Sequence, residues 1–549
     1  MDFRLVRVLA ERTSRVKCEL ELASLDHPPP YLSISYAWGD GMDMTNLRLN
    51  GRNKSVPTSL YSALEAVREK DKDVLVWIDG LSIDQQNKAE RASQVRLMSF
   101  IYSRASSMAI WLGPNADNSE LALALLERVA QKRVSKSRIT DLENKDSVAL
   151  RTLFKRPYWS RLWVVQEVYL SPVKWVYCGS SRLPWQAYED TSNAFWEDEI
   201  DPHLRKGPSS FPNMDSLVGQ GADRLLEVLC ACRKKISENP RDKVFGIMGM
   251  LPEETRKELP VNYDQSVKSL FIDVADHIIS STRRLDVIRE SIHYPLHVSA
   301  ADLPSWCPEW SHIPDVSALR EWTFSAAGGT DAVYRFYDHE RKLEISGLEL
   351  GTIGATGLPV GTLCAMQNYL MSFLHWHALL LDTANIEADD MHNPTLENFC
   401  RTLSLGQVPE RWEKGGWAIP CLHAFAVLLM ERMPRLPIDR SLQAYARLAV
   451  QLGDGYEGDH RSFVQENFGD RMMGRTFCTT TNGLMGMGSG FMARGDVVVV
   501  ALGCDTPILL RKEGCSDEFR YVGDVYIHGY MHGEVLAEGK RSVTKFKLR

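Results

Sequence analysis

Asp73–Ile78 (Asp-Val-Leu-Val-Trp-Ile) is a short apolar segment that stops at Asp79 and Gly80, and it decides the fold of the first third of the chain. Two comparable segments, Tyr31–Tyr36 and Met108–Leu112, lie before and after it. Their apolar residues are continuous rather than alternating with polar ones, which is what a strand buried on both faces requires. The pattern therefore predicts a parallel sheet.

Helical patterns fill the gaps between these strands. They cover Thr58–Lys70, Ala89–Ala105, Asn118–Lys132 and Tyr158–Leu170, and a further strand signal covers Val173–Cys178. Strands that alternate with helices predict a doubly wound, flavodoxin-like α/β layer.

The alternating pattern then ends. Residues 201–221 are polar and rich in Pro, Gly and Ser, which predicts a linker or a surface loop. Helical patterns follow at Asp223–Lys235, Arg241–Leu251 and Gln265–Ser281. We therefore expect a mainly helical region over residues 191–310.

The last part of the chain combines both kinds of pattern. Strand signals occur at Ala332–Tyr337 and Leu343–Leu348 and return in residues 471–549, where Gly-rich turns separate them. Helical patterns occupy residues 365–452 between the two strand groups. We predict an α+β domain over residues 311–549, built on a small β-barrel or sandwich with inserted helices.

Bulk composition limits the possible functions. The chain has 549 residues, of which 25% are charged, and its formal net charge is −7. That charge provides no general attraction for nucleic acid or anionic membranes, and no apolar run approaches the ~20 residues of a membrane span. The 11 cysteines lack paired metal-ligand spacing, which favours reduced thiols in a cytoplasmic protein. We expect no nucleic-acid partner and no membrane span.

Glu167 is the most informative single residue. At helical spacing, residues 158–170 place apolar side chains around nearly the whole circumference, and Ser160 is the nearest polar neighbour of Glu167. Such a helix is normally buried on all sides. A buried carboxylate has to be paired, protonated or used in chemistry. An ion pair with a distant Arg or Lys is the structural alternative to a functional role.

Polar and aromatic residues follow the predicted strands. In open parallel sheets, ligands bind beyond the carboxyl ends of the strands. Those ends carry Ser35, Tyr36, Trp38, Gly39 and Asp79. This set predicts a site for a nucleotide-sized ligand, although glycine after a strand is also ordinary turn chemistry.

Three ordered blocks resemble the signature of the fungal heterokaryon-incompatibility (HET) domain. They are Ile34–Gly39 (Ile-Ser-Tyr-Ala-Trp-Gly), Trp77–Gln85 (Trp-Ile-Asp-Gly-Leu-Ser-Ile-Asp-Gln) and Arg161–Glu167 (Arg-Leu-Trp-Val-Val-Gln-Glu). The resemblance covers roughly residues 26–185, and three blocks in order make it specific. We assign the HET domain to residues 1–190.

Later fragments also resemble full-length members of this group, among them Arg241–Gly246 and His528–Glu534. Two residues depart from the family pattern. Ser82 replaces a cysteine that is common in the second block, and His532 falls where an acidic residue is usual.

The resemblance implies a role in programmed cell death when genetically different fungal cells fuse. It also implies kinship with Toll/interleukin-receptor (TIR) domains, some of which hydrolyse NAD. In those enzymes a glutamate follows a Trp-x-x-x spacing on a helix beside the sheet, and Trp163–Glu167 is similar to that segment. The resemblance thus implies a TIR-like fold, NAD or a related nucleotide as substrate, no required cofactor, and self-association or partner HET-type proteins.

A lone Glu167 suffices for cleavage of the nicotinamide–ribose bond. Nicotinamide leaves as a neutral molecule, so no general acid is needed, and the reaction passes through an oxocarbenium-like cation. One carboxylate can hold the ribose hydroxyls and stabilise that cation. Trp38 or Trp163 could stack on an aromatic base, and core packing is the alternative for each of them.

For two charged residues, Asp79 and Arg161, the sequence leaves both a ligand-binding role and a structural role open. Asp79 either accepts hydrogen bonds from a ribose or amide, or caps the next helix or pairs with Arg91. Arg161 either contacts a phosphate or neutralises Glu167.

Two other functions fit the same sequence. A non-enzymatic signalling module would recruit partners through the HET domain, with Glu167 in a structural role. A member repurposed for a metabolic, biosynthetic pathway is the other. His528, His532 and Glu534 could ligate a metal, but they follow a predicted strand rather than share a helix face, so we expect no metal site.

Overall fold

A computed structural model describes residues 2–10, 15–39, 42–131, 144–197, 222–292, 301–312, 318–319, 324–337, 342–361, 366–384, 393–453 and 458–549. The chain divides into two compact units, Met1–Leu270 and Phe271–Arg549. The boundary falls within the region predicted as mainly helical, and the predicted linker at residues 201–221 lies outside the described residues.

The first unit is built on a sheet of nine strands. In chain order they are β1 (Asp2–Val8), β2 (Lys17–Ser24), β3 (Leu32–Tyr36), β4 (Met44–Leu49), β5 (Arg52–Pro57), β6 (Val74–Trp77), β7 (Ser107–Trp111), β8 (Lys174–Cys178) and β9 (Ser181–Pro184). Across the sheet they run β5-β4-β2-β1-β6-β3-β7-β8-β9.

The four strands predicted from the sequence form the central parallel part of this sheet. β3 pairs in parallel with both β6 and β7, and β7 pairs in parallel with β8. Taken alone and numbered along the chain, they lie in the order second, first, third, fourth. The prediction of these strands is confirmed, with ends that differ by one or two residues.

An all-parallel sheet, however, is a wrong prediction. β1 pairs antiparallel with β2 and β6, β4 with β5, and β8 with β9. β2 and β4 pair in parallel with each other, but β2, β4 and β5 have partly exposed residues along most of their length, unlike strands buried on both faces. Their charged residues interrupt the apolar runs from which the central strands were recognised.

Helices cover both faces of the parallel strands, and further helices follow along the chain, the last of them across the boundary between the two units. They are α1 (Thr58–Val67), α2 (Asp79–Ser82), α3 (Lys88–Arg104), α4 (Ser119–Ala130), α5 (Lys145–Phe154), α6 (Trp163–Leu170), α7 (Trp185–Glu197), α8 (Ala222–Cys232), α9 (Asp242–Phe245), α10 (Glu253–Glu258) and α11 (Val267–Thr282). Ile34 and Val76 pack against α1 on one face. Trp77 and Ile110 pack with α3 to α7 on the other, because successive residues of a strand point to opposite faces.

The predicted helix Tyr158–Leu170 is not continuous. A 3₁₀ turn at Pro157–Ser160 is followed by an extended Arg161 (φ −73°, ψ 141°), and α6 begins after it. The backbone N–H of Leu162 donates to the Ile236 carbonyl at 2.9 Å, and that of Ile236 donates to Ser160 at 2.7 Å. This bridge to a distant segment uses backbone groups that a continuous helix would have paired internally.

The predicted helix Arg241–Leu251 is also wrong as a single element. It consists of α9 and a 3₁₀ turn at Met248–Met250. Gly246 and Gly249 lie in this segment, where a Cβ would come within 3.3 Å of side chains of the 162–170 region. Glycine is needed there because the segment packs closely against α6.

The second unit contains eight strands. They are β10 (Tyr334–Tyr337), β11 (Lys342–Thr356), β12 (Arg475–Thr480), β13 (Met485–Ser489), β14 (Val497–Ala501), β15 (Ile508–Lys512), β16 (Glu518–Ile527) and β17 (Val543–Leu548). Antiparallel pairing runs β11-β12-β13-β16-β15-β14 and returns to β11. The sheet is closed into a ring, and this confirms the predicted small C-terminal β structure.

One strand of this ring was predicted only as turns. The glycine-rich stretch 483–495 contains β13. A Cβ on Gly486 would lie 2.8 Å from the Tyr526 carbonyl oxygen, and one on Gly488 would lie 2.8 Å from Val525. The glycines therefore allow β16 to approach closely. Because glycine has a low strand propensity, the sequence did not predict a strand here.

The predicted inserted helices lie between β11 and β12, and one more helix follows β16. They are α12 (Met366–Ala384), α13 (Pro394–Leu403), α14 (Ala418–Arg432), α15 (Arg440–Ala446), α16 (His460–Val464), α17 (Asp470–Met472) and α18 (Glu534–Glu538). Phe373 and Phe425 stack with ring centroids 4.0 Å apart at their centre. None of the helices in the described ranges has both the length and the apolar character that crossing a bilayer requires.

Candidate functional site

Glu167 lies on α6 and is buried, with 5% of its surface exposed. The Ser35 hydroxyl, near the carboxyl end of β3, donates to Glu167 Oε2 at 2.5 Å. The Tyr158 hydroxyl lies 2.9 Å from the same Ser35 oxygen, and Tyr102 of α3 also hydrogen-bonds Glu167. Hydroxyl groups from three elements therefore surround this carboxylate.

Burial raises the pKa of Glu167 to about 7. The hydrogen bond from Ser35 and the charge of Arg161 lower the pKa, whereas the charge of Asp79 raises it further. Among the described residues, no Lys or Arg forms an ion pair with Glu167. The ion pair that the sequence left open is thus not found there, and the carboxyl group is near its titration midpoint at neutral pH.

Asp79 is a second carboxylate beside Glu167, at the start of α2 and directly after β6. The Trp38 indole N–H donates to Asp79 Oδ2 at 2.9 Å, and the Gly80 backbone N–H donates to Oδ1 at 2.7 Å. Tyr36 hydrogen-bonds the same carboxylate. Burial raises the pKa of Asp79 and Arg161 lowers it. The capping interpretation holds in part, since Asp79 accepts from a helical N–H, and Asp79 forms no pair with Arg91.

Arg161 acts electrostatically on both carboxylates. Its charge lowers the pKa of Glu167 and of Asp79. Its Nε atom is buried and has no hydrogen-bond acceptor in the described part of the protein. This N–H group can therefore donate to an acceptor that a ligand brings to the site.

The strand ends meet where ligands bind in sheets of this kind. α1, which follows β3 along the chain, packs on one face, and α4, which follows β7, packs on the other. Neighbouring parallel strands whose connections leave to opposite sides open a crevice at their carboxyl ends. Tyr36 pairs with Trp111 there, and Gly39 has a φ of +77° that turns the chain away.

Comparison with known proteins identifies the two ends of the chain. The sequence model described as Heterokaryon incompatibility protein (HET) matches residues 31–167, and the one described as Het-6 beta-barrel domain matches residues 460–546. Heterokaryon incompatibility protein 6, OR allele, of Neurospora crassa is 24% identical over 96% of this chain and 93% of its own length. The two matched regions are thus similar to a HET domain and a Het-6 barrel, and the chain over most of its length is similar to a fungal heterokaryon incompatibility protein. No solved structure matches it.

The HET match contains all the residues predicted for the site. It begins at Tyr31, just before β3, and it ends at Glu167. The Het-6 barrel match covers β12 to β17. The family assignment therefore agrees with the resemblance found in the three sequence blocks.

Trp163 has a polar partner in addition to the stacking or core packing considered from the sequence. Its indole N–H donates to Asp242 Oδ2 at 3.1 Å, and the Tyr263 hydroxyl donates to Oδ1 at 2.8 Å. The Arg91 guanidinium lies 4.6 Å above the Tyr263 ring, so Arg91 contacts this segment. Trp163 thus links α6 to the segment after the HET match.

The segment that contains Gly246 and Gly249 packs against α6 and the residue before it. The Gly249 N–H donates to Gln166 Oε1 at 3.3 Å. A Cβ on Gly249 would lie 2.8 Å from the same atom, and one on Gly246 would lie 3.2 Å from Leu162. These contacts give the Arg241–Gly246 fragment a positioning role for the helix that carries Glu167.

The sequence argument missed four residues of this region: Tyr102, Tyr158, Gln166 and Asp242. Tyr102 lies in the predicted helix Ala89–Ala105, and no role was expected of it. A signal was present, because a buried tyrosine hydroxyl normally finds a hydrogen-bond partner. Which partner it finds depends on the packing of α3 against α6, and no local pattern contains that information.

Proposed function

We propose that the HET domain of this protein hydrolyses NAD at the nicotinamide–ribose bond, as an intracellular effector of heterokaryon incompatibility and programmed cell death. One observation carries the proposal. Glu167 is a buried carboxylate with hydroxyl partners and no counter-cation among the described residues, beside the carboxyl ends of the parallel strands. Proteins seldom keep such a group without a use for it.

The chemistry assigns a role to each neighbour. Ionised Glu167 stabilises the oxocarbenium-like cation and accepts a ribose hydroxyl, and Ser35 holds the carboxylate in place at 2.5 Å. Arg161 donates its unused Nε–H to a phosphate oxygen. Asp79, which Trp38 and Tyr36 position, accepts hydrogen bonds from the ligand.

The order of the parallel strands supports a TIR-like fold for this domain. β6, β3, β7 and β8 lie in the order second, first, third, fourth, which is the flavodoxin-like order of doubly wound sheets. Self-association in the cytoplasm, or assembly with other HET-type proteins, is part of the proposal, as for other TIR-like signalling domains.

Incubation of the purified chain with NAD, with chromatographic detection of nicotinamide, tests the activity. Glu167→Gln keeps an oxygen that accepts from Ser35 but removes the charge. We expect it to lower the rate by about 10²–10³-fold, as removal of one electrostatic stabiliser does. Glu65→Gln, at an exposed position of α1, is the matched control and should keep the wild-type rate. Full activity of Glu167→Gln would refute the assignment of this residue.

A second function is supported by the same hydrogen bonds. Ser35 and Tyr102 satisfy the Glu167 carboxylate within the protein, as they would in a structural site of a non-enzymatic signalling module. That function predicts no nicotinamide release in any assembly state. Release of nicotinamide by the wild type, absent in Glu167→Gln of unchanged melting temperature, would exclude it.

A further inference from the structure

The second unit has a cavity of about 230 Å³ beside the end of β16. Its walls come from the C-terminal end of α13 with the turn that follows, and from the His528–Glu534 segment. This segment resembles the family in sequence, but the proposed function does not use it. The cavity is smaller than the roughly 300–1,000 Å³ of pockets for drug-sized ligands, so its volume fits a small metabolite.

Arg401 provides a positive group in the wall of the cavity. Its Nε donates to Glu397 at 2.9 Å, and its Nη2 donates to the carbonyl oxygens of Trp412 at 3.0 Å and Glu413 at 2.9 Å. Within the described residues, Nη1 has no hydrogen-bond acceptor. The guanidinium is therefore held rigidly while one of its donor groups stays available, which suits recognition of a carboxylate.

Glu534 provides a negative group in the same wall. Its Oε2 accepts from the His532 backbone N–H at 2.7 Å, and Oε1 has no partner in the described ranges. Arg401 and Glu534 both line the cavity without forming an ion pair with each other. Both act on Tyr526, whose pKa Arg401 lowers and Glu534 raises, although burial has the largest effect. The cavity thus holds two opposite charges apart.

Tyr526 and His528 add a polar pair to this wall. His528 Nε2 lies 3.2 Å from Asn398 Oδ1, so Nε2 carries the proton and donates it. The Tyr526 hydroxyl lies 3.4 Å from His528 Nδ1 and donates to it. Burial lowers the pKa of His528, which favours the neutral ring. The Tyr526 oxygen then keeps a lone pair for an N–H group of a ligand.

A strained turn supports the functional interpretation. Leu405 is fully buried and has a φ of +53°, and Gly406 after it has a φ of +74°. Leucine rarely adopts this left-handed conformation, and such strain concentrates at binding sites. A Cβ on Gly406 would lie 2.9 Å from the Tyr526 hydroxyl. The strained turn thus brings the backbone against the hydroxyl of the cavity wall.

We propose that this cavity binds a small zwitterionic metabolite of amino-acid size, with its carboxylate on Arg401 and its ammonium group on Glu534. Phe324, Leu405 and Met531 provide the apolar part of the wall. A ligand that carries both charges gives a partner to Arg401 Nη1 and to Glu534 Oε1 at once, whereas an anion or a cation alone would leave one of these two atoms unused.

Calorimetric titration of the full chain with each standard amino acid at millimolar concentration tests the proposal. We expect at least one to bind. Its amide, which lacks the carboxylate, and its N-acetyl derivative, which lacks the ammonium group, should each bind at least about tenfold more weakly, the equivalent of one lost charged contact. No binding by any amino acid, or equal binding of the N-acetyl derivative, would overturn the proposal.

Glu534→Gln assigns the site. Glutamine keeps an oxygen for the His532 N–H and removes only the charge, so the affinity for the free amino acid should fall about tenfold, the equivalent of one lost charged contact. Glu538→Gln lies on the same helix, α18, and bonds Tyr530 instead, so it should bind like the wild type. Equal loss in both variants, or in neither, would contradict the placement of the ammonium group. The titrations with amino acids, their amides and their N-acetyl derivatives use the wild-type chain, so they test the proposal even if a variant does not fold.

Discussion

The two units bury their acids in different ways. In the barrel, Arg475 pairs with Asp524 at 3.0 Å, and Arg511 holds Asp496 through two hydrogen bonds of 2.8 and 2.9 Å. In the HET domain, Glu167 has hydroxyl partners, and Arg161 acts on it only from a distance. A direct arginine contact opposes the rise in carboxyl pKa that burial causes. Hydroxyl partners oppose it less, so burial then has the larger effect on the pKa. The barrel acids are structural, and Glu167 is free to change its protonation.

The largest expected effect is loss of a barrel pair. Arg475 and Asp524 are both nearly fully buried, at 4% and 6% exposure. Arg475→Met should lower the free energy of unfolding by about 3–5 kcal/mol, because it leaves an uncompensated buried charge. Arg520→Met removes one partner of the exposed Arg520–Glu513 pair and should cost under about 1 kcal/mol. Chemical denaturation measures both, and similar losses would show that the buried pair is not structural.

The next effect tests the acid of the HET domain by pH. The pKa of Glu167 rises from 4.5 to about 7 on folding, so the folded state binds the proton more tightly than the unfolded state. Its contribution to stability is therefore present below pH 4.5 and is lost as the pH rises toward 7. The total change is on the order of 3 kcal/mol.

Glu167→Gln should remove that part of the pH dependence. Unfolding free energies of wild type and variant, measured from about pH 5 to about pH 8, report the difference between them. A difference that does not change with pH would mean that Glu167 is ionised throughout this range.

Ser35→Ala tests the hydrogen bond to Glu167, and we expect a smaller change in stability. Loss of the hydroxyl that donates to Glu167 should raise the carboxyl pKa further and destabilise the domain by roughly 1 kcal/mol, more above pH 7 than below it. Ser33→Ala is the matched control, since Ser33 is buried on the same strand and its hydroxyl has no partner among the described residues. If both variants lost the same stability, the Ser35 bond would contribute nothing specific.

The smallest expected effect is in the second unit and has the opposite sign. His460 Nε2 lies 3.2 Å from His423 Nε2, and burial followed by repulsion from His423 lowers the pKa of His460 below 6.5. This contribution to stability is present above pH 6.5 and is lost as the pH falls through the lowered pKa. His460→Gln should flatten the acid side of the stability profile, and an unchanged profile would contradict it.

Much of the HET domain could be predicted from its sequence. The central strands β3, β6 and β7 are short, continuous apolar segments, and strands buried on both faces have to be apolar throughout. Glu167 stood out because no other charged residue lies on α6. β2, β4 and β5 were missed because they are partly exposed, and charged residues are tolerated there. β1 is largely buried beside β6, but Arg4 and Arg7 interrupt its apolar run.

The sequence by itself determined which residues are buried and where the parallel strands end, since both depend on the local succession of apolar and polar side chains. Only the tertiary structure decided which groups meet: Ser35 with Glu167, Trp38 with Asp79, and Trp163 with Asp242. It also broke the predicted helix at Arg161, because Ile236 bonds the backbone there. Hydrogen-bond partners distant in sequence are chosen by packing, and packing is a property of the whole chain.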